Sequence, residues 1–585
     1  MRFLLWVFAV IGFFTVVAFG LLVYAAFHFN SKPQPVAANT VLRLDLDKAI
    51  SEQPPALGPF FDGKVTGFTT VLTALKRGTD DARVKGLVAR TGNVTLGLGQ
   101  IQELRSAIKA FRAKGKFALA FGESFGELGG GTRAYYLSSA FDEIWLQPTG
   151  SLALVGLRTE IPFFKGTFDK IGVEAEFGRR AEYKSAATQF TETKLLPTDR
   201  EAEDTMLSSI YEQIVAGIGE GRSITPDTAK QLIDGGPYIG SAALEKHLID
   251  KIGYRDEVEA AAREKAGFGA NLMDVATYAA ASQVGESATD VIALVRAVGE
   301  INGGSDSDNP FDNDTGVHAD TLARALDDAA KDPEVKAIVL RIDSPGGSGS
   351  ASETIWRAVK RAQDAHKPVI VSMGNFAASG GYYIAAGADK IVADPATVTG
   401  SIGVFAGKFV ISGLLDKLGV TIDTLSYGKE AGMDSSESQF TPEQKQRFND
   451  FLDDFYKTFV KRVADGRHLD PVKAEALARG RVWTGSQAKE RGLVDVLGGF
   501  EDAVGQAKEA ASLPADKPVV LRAFPAPKTP LEKIAGALGG GTEDSVETLA
   551  LMHRLSVLEP VLHRLDQMSQ ASRGGAIMAP LDITD

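Results

Sequence analysis

The 585-residue sequence contains no cysteine, which excludes disulfide bonds, thiol nucleophiles, thiolate metal centres and iron–sulfur clusters. Histidine is nearly as scarce. His28, His247, His318, His366, His468, His553 and His563 are all there is, and no two stand at the short spacing of a local metal motif. No cofactor or metal is expected. Positive charge is also in deficit, with 63 Lys and Arg against 75 Asp and Glu and a net charge of −12. No basic cluster interrupts this pattern, so the chain has little to offer a phosphate backbone and nucleic acid is not an expected partner. With 44% apolar and 24% charged residues the composition is that of a globular protein, and the length admits roughly four domains or two large ones.

One long apolar run is present. Residues 3–27 (FLLWVFAVIGFFTVVAFGLLVYAAF) carry no charge and are long enough to cross about 30 Å of hydrocarbon. A cleaved signal peptide has an apolar region of only roughly 7–15 residues, so the run reads as a retained transmembrane signal-anchor embedded in lipid. Arg2 and the terminal amine on one side face Lys32 and Arg43 on the other, so the positive-inside rule hardly chooses, and the reading favoured is a short inside tail with a large outside domain. Ser31 to Asn39 (SKPQPVAAN) reads as a linker.

The rest of the chain repeats itself. VKGLVAR (Val84 to Arg90) recurs as VKAIVLR (Val335 to Arg341), YYLSSAFDEIWLQP (Tyr135 to Pro148) as YYIAAGADKIVADP (Tyr382 to Pro395), and FDKIGV (Phe168 to Val173) as LDKLGV (Leu415 to Val420). The last two pairs share one offset of 247 residues, a register that chance does not maintain over such a length. Two copies of one unit are therefore expected. Within each, short β-branched runs such as Ala337 to Ile342 and Pro368 to Ser372 alternate with helical stretches such as Ser352 to Asp364. That alternation predicts an α/β domain with a buried parallel sheet. Asn302 to Asp314 (NGGSDSDNPFDND) has the composition of a solvated loop.

The second copy carries the loops suited to chemistry. After one strand comes DSPGGSGSASE (Asp343 to Glu353), where Gly346 and Gly347 leave backbone N–H groups uncovered. After the next comes GNFAASGGYY (Gly374 to Tyr383), which sets Ser379 ahead of Gly380-Gly381 and a helix start. Two sources of amides beside one serine make an oxyanion site. A serine hydroxyl needs a base, and no histidine stands in a glycine-rich or strand-end context; His366 sits at a helix end, where it caps. Lysine remains, provided burial lowers its pKa from about 10.4 towards neutrality.

Comparison of the copies points to which lysine. At the 247 offset Ser379 corresponds to Thr132, so the first copy lacks the serine, while Lys184 in GRRAEYKSAA (Gly178 to Ala187) corresponds to Ala431. One copy keeps the serine and glycines and the other keeps the lysine, which suggests a composite site at their junction. Lys429, two positions off register in SYGKEAG (Ser426 to Gly432), is the rival that would confine the pair to one copy.

The span, the duplication, D-S-P-G-G (Asp343 to Gly347), A-A-S-G-G-Y-Y (Ala377 to Tyr383), T-G-S-I-G (Thr399 to Gly403) and Y-K-S-A (Tyr183 to Ala186) together resemble the long, duplicated form of the signal peptide peptidase A family, peptidase family S49, over roughly residues 1–512. The resemblance implies a tandem duplication of a Clp-protease/crotonase-like domain preceded by one transmembrane helix. The expected division is anchor 1–30, lysine-donating unit 40–280, serine-donating unit 281–512 and a variable tail 513–585. It also implies Ser379 as nucleophile, Lys184 as general base, Ser401 as the serine that orients the lysine, and Gly380 and Gly346 as oxyanion donors. The implied activity is digestion of hydrophobic peptides, cleaved signal peptides above all, by a homotetramer in the bacterial inner membrane with its catalytic domains on the periplasmic side. Two other classes fit parts of the sequence: a crotonase-like acyl-CoA enzyme, since paired amides also suit thioesters, and an inactive membrane scaffold that retains a protease fold.

Overall fold

The computed structural model describes residues 35–53, 66–127, 129–282, 289–306, 316–526 and 576–578. The apolar run 3–27 lies outside them, as does most of the tail; among the described residues no helix is long and apolar enough to cross a membrane.

The duplication is visible strand by strand. The first sheet is wholly parallel, in the order Lys251–Ile252, Glu143–Leu146, Phe117–Gly122, Val84–Arg90, Thr40–Asp45, Asn271–Asp274. The second sheet has a parallel core of the same design: Val496–Leu497, Lys390–Ala393, Val369–Ala378, Val335–Ser344, Val291–Val298, Val520–Phe524. Its central strands are nearly continuous apolar runs, Val335–Ser344 being buried at all but two positions. Such runs mark strands covered on both faces. The covering helices show the matching stripe: in Gly349–Asp364 the residues Ala351, Ile355, Ala358, Val359 and Ala362 are buried, and the Ser348 hydroxyl caps the first turn.

The last strand departs from the expected domain limit at 512. Val520–Phe524 sits in a Pro-flanked stretch that reads as tail, yet it pairs with Val291–Val298 just as Asn271–Asp274 pairs with Thr40–Asp45. Left unpaired, the apolar Val291–Val298 strand would present an open sheet edge.

The two units fuse rather than hang side by side. Ile292, Leu294, Val339 and Ile370 of the second sheet pack in one cluster with Ile101, Leu104 and Ile108 of the first unit's helix Leu98–Ala113. Inside this shared core Arg341, fully buried, bridges Glu52 at 2.5 Å and Glu103 at 2.7 Å. A second seam is a two-stranded antiparallel ribbon in which Glu174–Arg180 of the first unit pairs with Val404–Val410 of the second.

Candidate active site

The second sheet's two central strands both end where a backbone must turn sharply. Ser379 follows Val369–Ala378 with φ 56° and ψ −114°, a region that non-glycine residues rarely occupy, and it begins the helix Gly380–Ala386. Its amide donates to the Gly400 carbonyl at 2.8 Å, and its carbonyl accepts from Tyr383. The strain is held by packing on all sides: Ser379 is fully buried, and a methyl group added at Gly380 would lie 2.7 Å from the Ser352 hydroxyl and 3.1 Å from the Gly347 amide. The Gly346–Ser348 strand therefore runs directly beside the serine turn. Gly380, as the first helical residue, has an N–H with no carbonyl one turn back to take it. The Gly346 N–H is held by the Ser344 hydroxyl at 3.2 Å.

The inter-unit ribbon delivers the lysine. Lys184 lies four residues beyond the Glu174–Arg180 strand, and its Nζ stands 2.6 Å from Ser379 Oγ, 2.9 Å from Ser401 Oγ and 2.9 Å from the Ser401 carbonyl. The side chain is fully buried, and that burial pushes its pKa well below the usual lysine value. Ser401 is likewise buried, in the turn between the Val398–Gly400 strand and the ribbon. Ser379, Lys184, Ser401, Gly380 and Gly346 thus converge, whereas Lys429 is exposed on an irregular segment. In the first unit Thr132, the counterpart of Ser379, uses its hydroxyl to accept from the Val155 and Gly156 amides.

A further strand lies at the site. Ala576–Met578 pairs antiparallel with Gly346–Ser348, Ile577 opposite Gly347.

Comparison with known proteins adds the family. The model described as peptidase family S49 matches residues 111–269 and 361–514. Protease 4 of Salmonella typhi is 33% identical over 509 residues, covering 83% of this chain and 80% of its own length. The chloroplastic serine protease SPPA of Arabidopsis thaliana is 32% identical over 496 residues, 83% of this chain and 72% of the relative. A shorter match, 38% identical over 205 residues (35% of this chain, 59% of the relative), is to an Enterococcus faecium chain whose name is that of a signal peptide peptidase, SppA. The chain belongs to peptidase family S49. It is a serine peptidase with a duplicated α/β S49 unit, and membership of this family sets aside the acyl-CoA and inactive-scaffold readings.

Several residues that position this S49 site carry no local sequence signal. The segment Arg479–Arg481 laces the two halves together: Tyr183 N donates to the Arg479 carbonyl at 3.1 Å, Gly480 N to Ile402 at 2.8 Å, and Ser401 N to Arg481 at 2.7 Å. A methyl group at Gly480 would lie 2.5 Å from the Lys184 amide nitrogen. Arg179 braces the same loop, its Nη1 donating to the carbonyls of Glu182 at 3.1 Å and Lys184 at 3.3 Å. A glycine and an arginine are common residues, and only their contacts distinguish these two.

Proposed function

We propose that this chain is a membrane-anchored serine endopeptidase with a Ser/Lys dyad, acting on hydrophobic peptides and above all on cleaved signal peptides. The observation that carries the reading is a buried, charge-disfavoured Lys184 Nζ 2.6 Å from the hydroxyl of a strained Ser379. Neutral Lys184 takes the Ser379 proton as Oγ attacks the peptide carbonyl. The Gly380 amide, joined by that of Gly346 as it leaves its long bond to Ser344, holds the oxyanion; Ser401 orients the amine. The lysine then protonates the leaving amine, and water, deprotonated in turn by Lys184, frees the acyl group. The strand pairing along Gly346–Ser348 supports an extended peptide as substrate, since that edge already accepts a strand beside the nucleophile.

The remaining parts of the reading rest on the sequence and the family. Each unit is a Clp-protease/crotonase-like domain, with boundaries near 40–280 and from 281 to the end of the second sheet. Residues 3–27 anchor the chain in the bacterial inner membrane with the catalytic units on the periplasmic side, and four chains assemble. The name of the Enterococcus faecium relative supports the substrate class.

The test is cleavage of a fluorogenic hydrophobic peptide by the full chain. Ser379→Ala and Lys184→Ala should each lower kcat at least about a thousandfold, as removal of a catalytic nucleophile or base does, and Lys429→Ala should leave it within about twofold. Activity surviving in Lys184→Ala while lost in Lys429→Ala would sink the cross-unit dyad.

A further inference from the structure

The strand that carries Ser379 falls out of step with its neighbour just before the serine. Val369–Ala378 pairs in parallel with Val335–Ser344 in one register up to Met373 opposite Ile342, and pairing resumes with Ala377 opposite Ser344. Four steps along one strand match two along the other, so the nucleophile strand bulges by two residues around Gly374, Asn375 and Phe376. A bulge leaves backbone groups without ladder partners and re-aims the residues that follow it. Were this one to flatten, Ser379 would move two residues along the strand, roughly 6.6 Å at about 3.3 Å per residue, against a hydrogen bond to Lys184 of 2.6 Å.

Asp343, the acid of the D-S-P-G-G segment, fills the bulge. Its Oδ1 accepts from the Phe376 amide at 2.9 Å and its Oδ2 from the Asn375 side-chain amide at 3.3 Å. Asn375 is oriented in turn from the first unit: its Oδ1 accepts from the Gln100 backbone amide at 3.1 Å, so its NH2 faces Asp343. The fit is close, since a methyl group at Gly374 would lie 3.1 Å from Asp343 Cβ and one at Gly97 would run into the Asn375 side chain. The Asp343 carbonyl accepts from the Gly299 amide at 2.9 Å, which fixes the acid's own backbone from the other side. The residue is half-buried but its carboxyl is enclosed, and that enclosure, with Glu52 adding to it and Arg341 opposing it, pushes the pKa up to about 7. An acid kept where its charge is disfavoured is characteristic of functional sites.

The unit without the serine has neither acid nor bulge. Arg90 and Arg341 close the same recurring motif, so Asp343 corresponds to Gly92, where a methyl group would lie 2.5 Å from the Ser124 carbonyl oxygen. The strands there, Val84–Arg90 and Phe117–Gly122, keep one register to the end, with Arg90 opposite Phe121. Acid, bulge and nucleophile occur together in one copy and are missing together from the other.

We infer that Asp343 is a positioning residue for the nucleophile: its carboxylate holds the bulge open and so sets Ser379 within reach of Lys184. It acts through Asn375 and Phe376, which precede the serine on the same strand. The inference rests on the reading of Ser379 as nucleophile.

The test exchanges donor and acceptor across the Asp343–Asn375 contact in the full chain. Asp343→Asn keeps the volume and the acceptor for Phe376 but sets one amide NH2 against that of Asn375, which Gln100 keeps from turning. On the fluorogenic hydrophobic peptide kcat should fall about a hundredfold with KM within about threefold, since displacing a catalytic group by about 1 Å has a cost of that order. Asn375→Asp alone sets two carboxyl groups face to face and should also lower kcat. The combined variant, Asp343→Asn with Asn375→Asp, again matches one donor to one acceptor and leaves an oxygen for Gln100. It should regain at least about tenfold over Asp343→Asn, a coupling that loss of packing alone does not produce. Urea midpoints identify any variant that fails to fold. If Asp343→Asn is one of these, Asn375→Ala, which cuts the tie to Gln100 at a half-buried position, should still lower kcat about tenfold. A folded Asp343→Asn chain with kcat within about twofold of native, a combined variant no better than Asp343→Asn, or an unchanged kcat in Asn375→Ala overturns the inference and leaves the dyad standing. Ser379→Ala keeps the two failures apart: cleavage that survives it sinks the dyad reading, and this inference with it.

Discussion

At the scale of single residues the site is an argument about one proton. Lys184 Nζ has hydroxyl and carbonyl oxygens around it, and burial without a charged neighbour pushes its pKa well down. The sign follows directly. Burial penalises the ammonium, so the neutral amine that can accept the Ser379 proton predominates at a lower pH than it would for an exposed lysine. kcat/KM on an uncharged hydrophobic peptide should therefore rise with pH along a limb whose midpoint lies well below 10.5, and Lys184→Arg should abolish activity at every pH tested, because guanidinium stays charged. A pH profile with its limb near 10.5 would contradict the buried-base assignment. The same displacement acts on folding: between the lowered value and about 10.5 the unfolded chain holds the proton that the folded chain lacks, so this lysine makes stability increase as pH rises through that window.

At the scale of elements, each group of the candidate site depends on strands and turns that neighbour it only in space. The lysine is placed by the antiparallel ribbon, Ser401 follows a strand of the second sheet, and both are tied to Arg479–Arg481. Gly480 takes φ 80° and leaves no room for a side chain against Lys184. Gly480→Ala should therefore lower kcat by about a hundredfold with little change in KM, since a small displacement of a positioned catalytic group carries a cost of that order. Steady-state kinetics on the full chain decide it; an unchanged kcat would show that the loop tolerates the shift. The repeated motifs and the glycine loops were legible here because they are contiguous in sequence. The ribbon was not: the partner of Glu174–Arg180 lies more than two hundred residues away, and a two-stranded antiparallel pair leaves no mark in the pattern of either strand alone.

At the scale of the whole molecule the two units share one core. Hydrophobic residues from both sheets share a core, and the Glu52–Arg341–Glu103 bridge is sealed inside it. Arg341→Met would leave two carboxylates buried without their cation. It should destabilise the chain by about 3–5 kcal/mol, the range for removing one partner of a buried ion pair, measured as a shift in urea midpoint. A shift below about 1 kcal/mol would mean that water or a local rearrangement reaches the carboxylates.

The sequence by itself determined the duplication, the α/β class, the apolar terminal run and the residue types available to a catalytic site. Each of these is a matter of local pattern, periodicity or plain absence. With no cysteine and no suitably placed histidine, lysine is the base that the sequence leaves for a serine beside oxyanion glycines. The tertiary structure separated the two candidate lysines, burying Lys184 against Ser379 and leaving Lys429 exposed. It also decided that Val520–Phe524 completes the second sheet and that Arg179 and Gly480 hold the lysine loop. These outcomes depend on pairing and burial between distant segments, which are properties of the packed chain and not of any stretch of it.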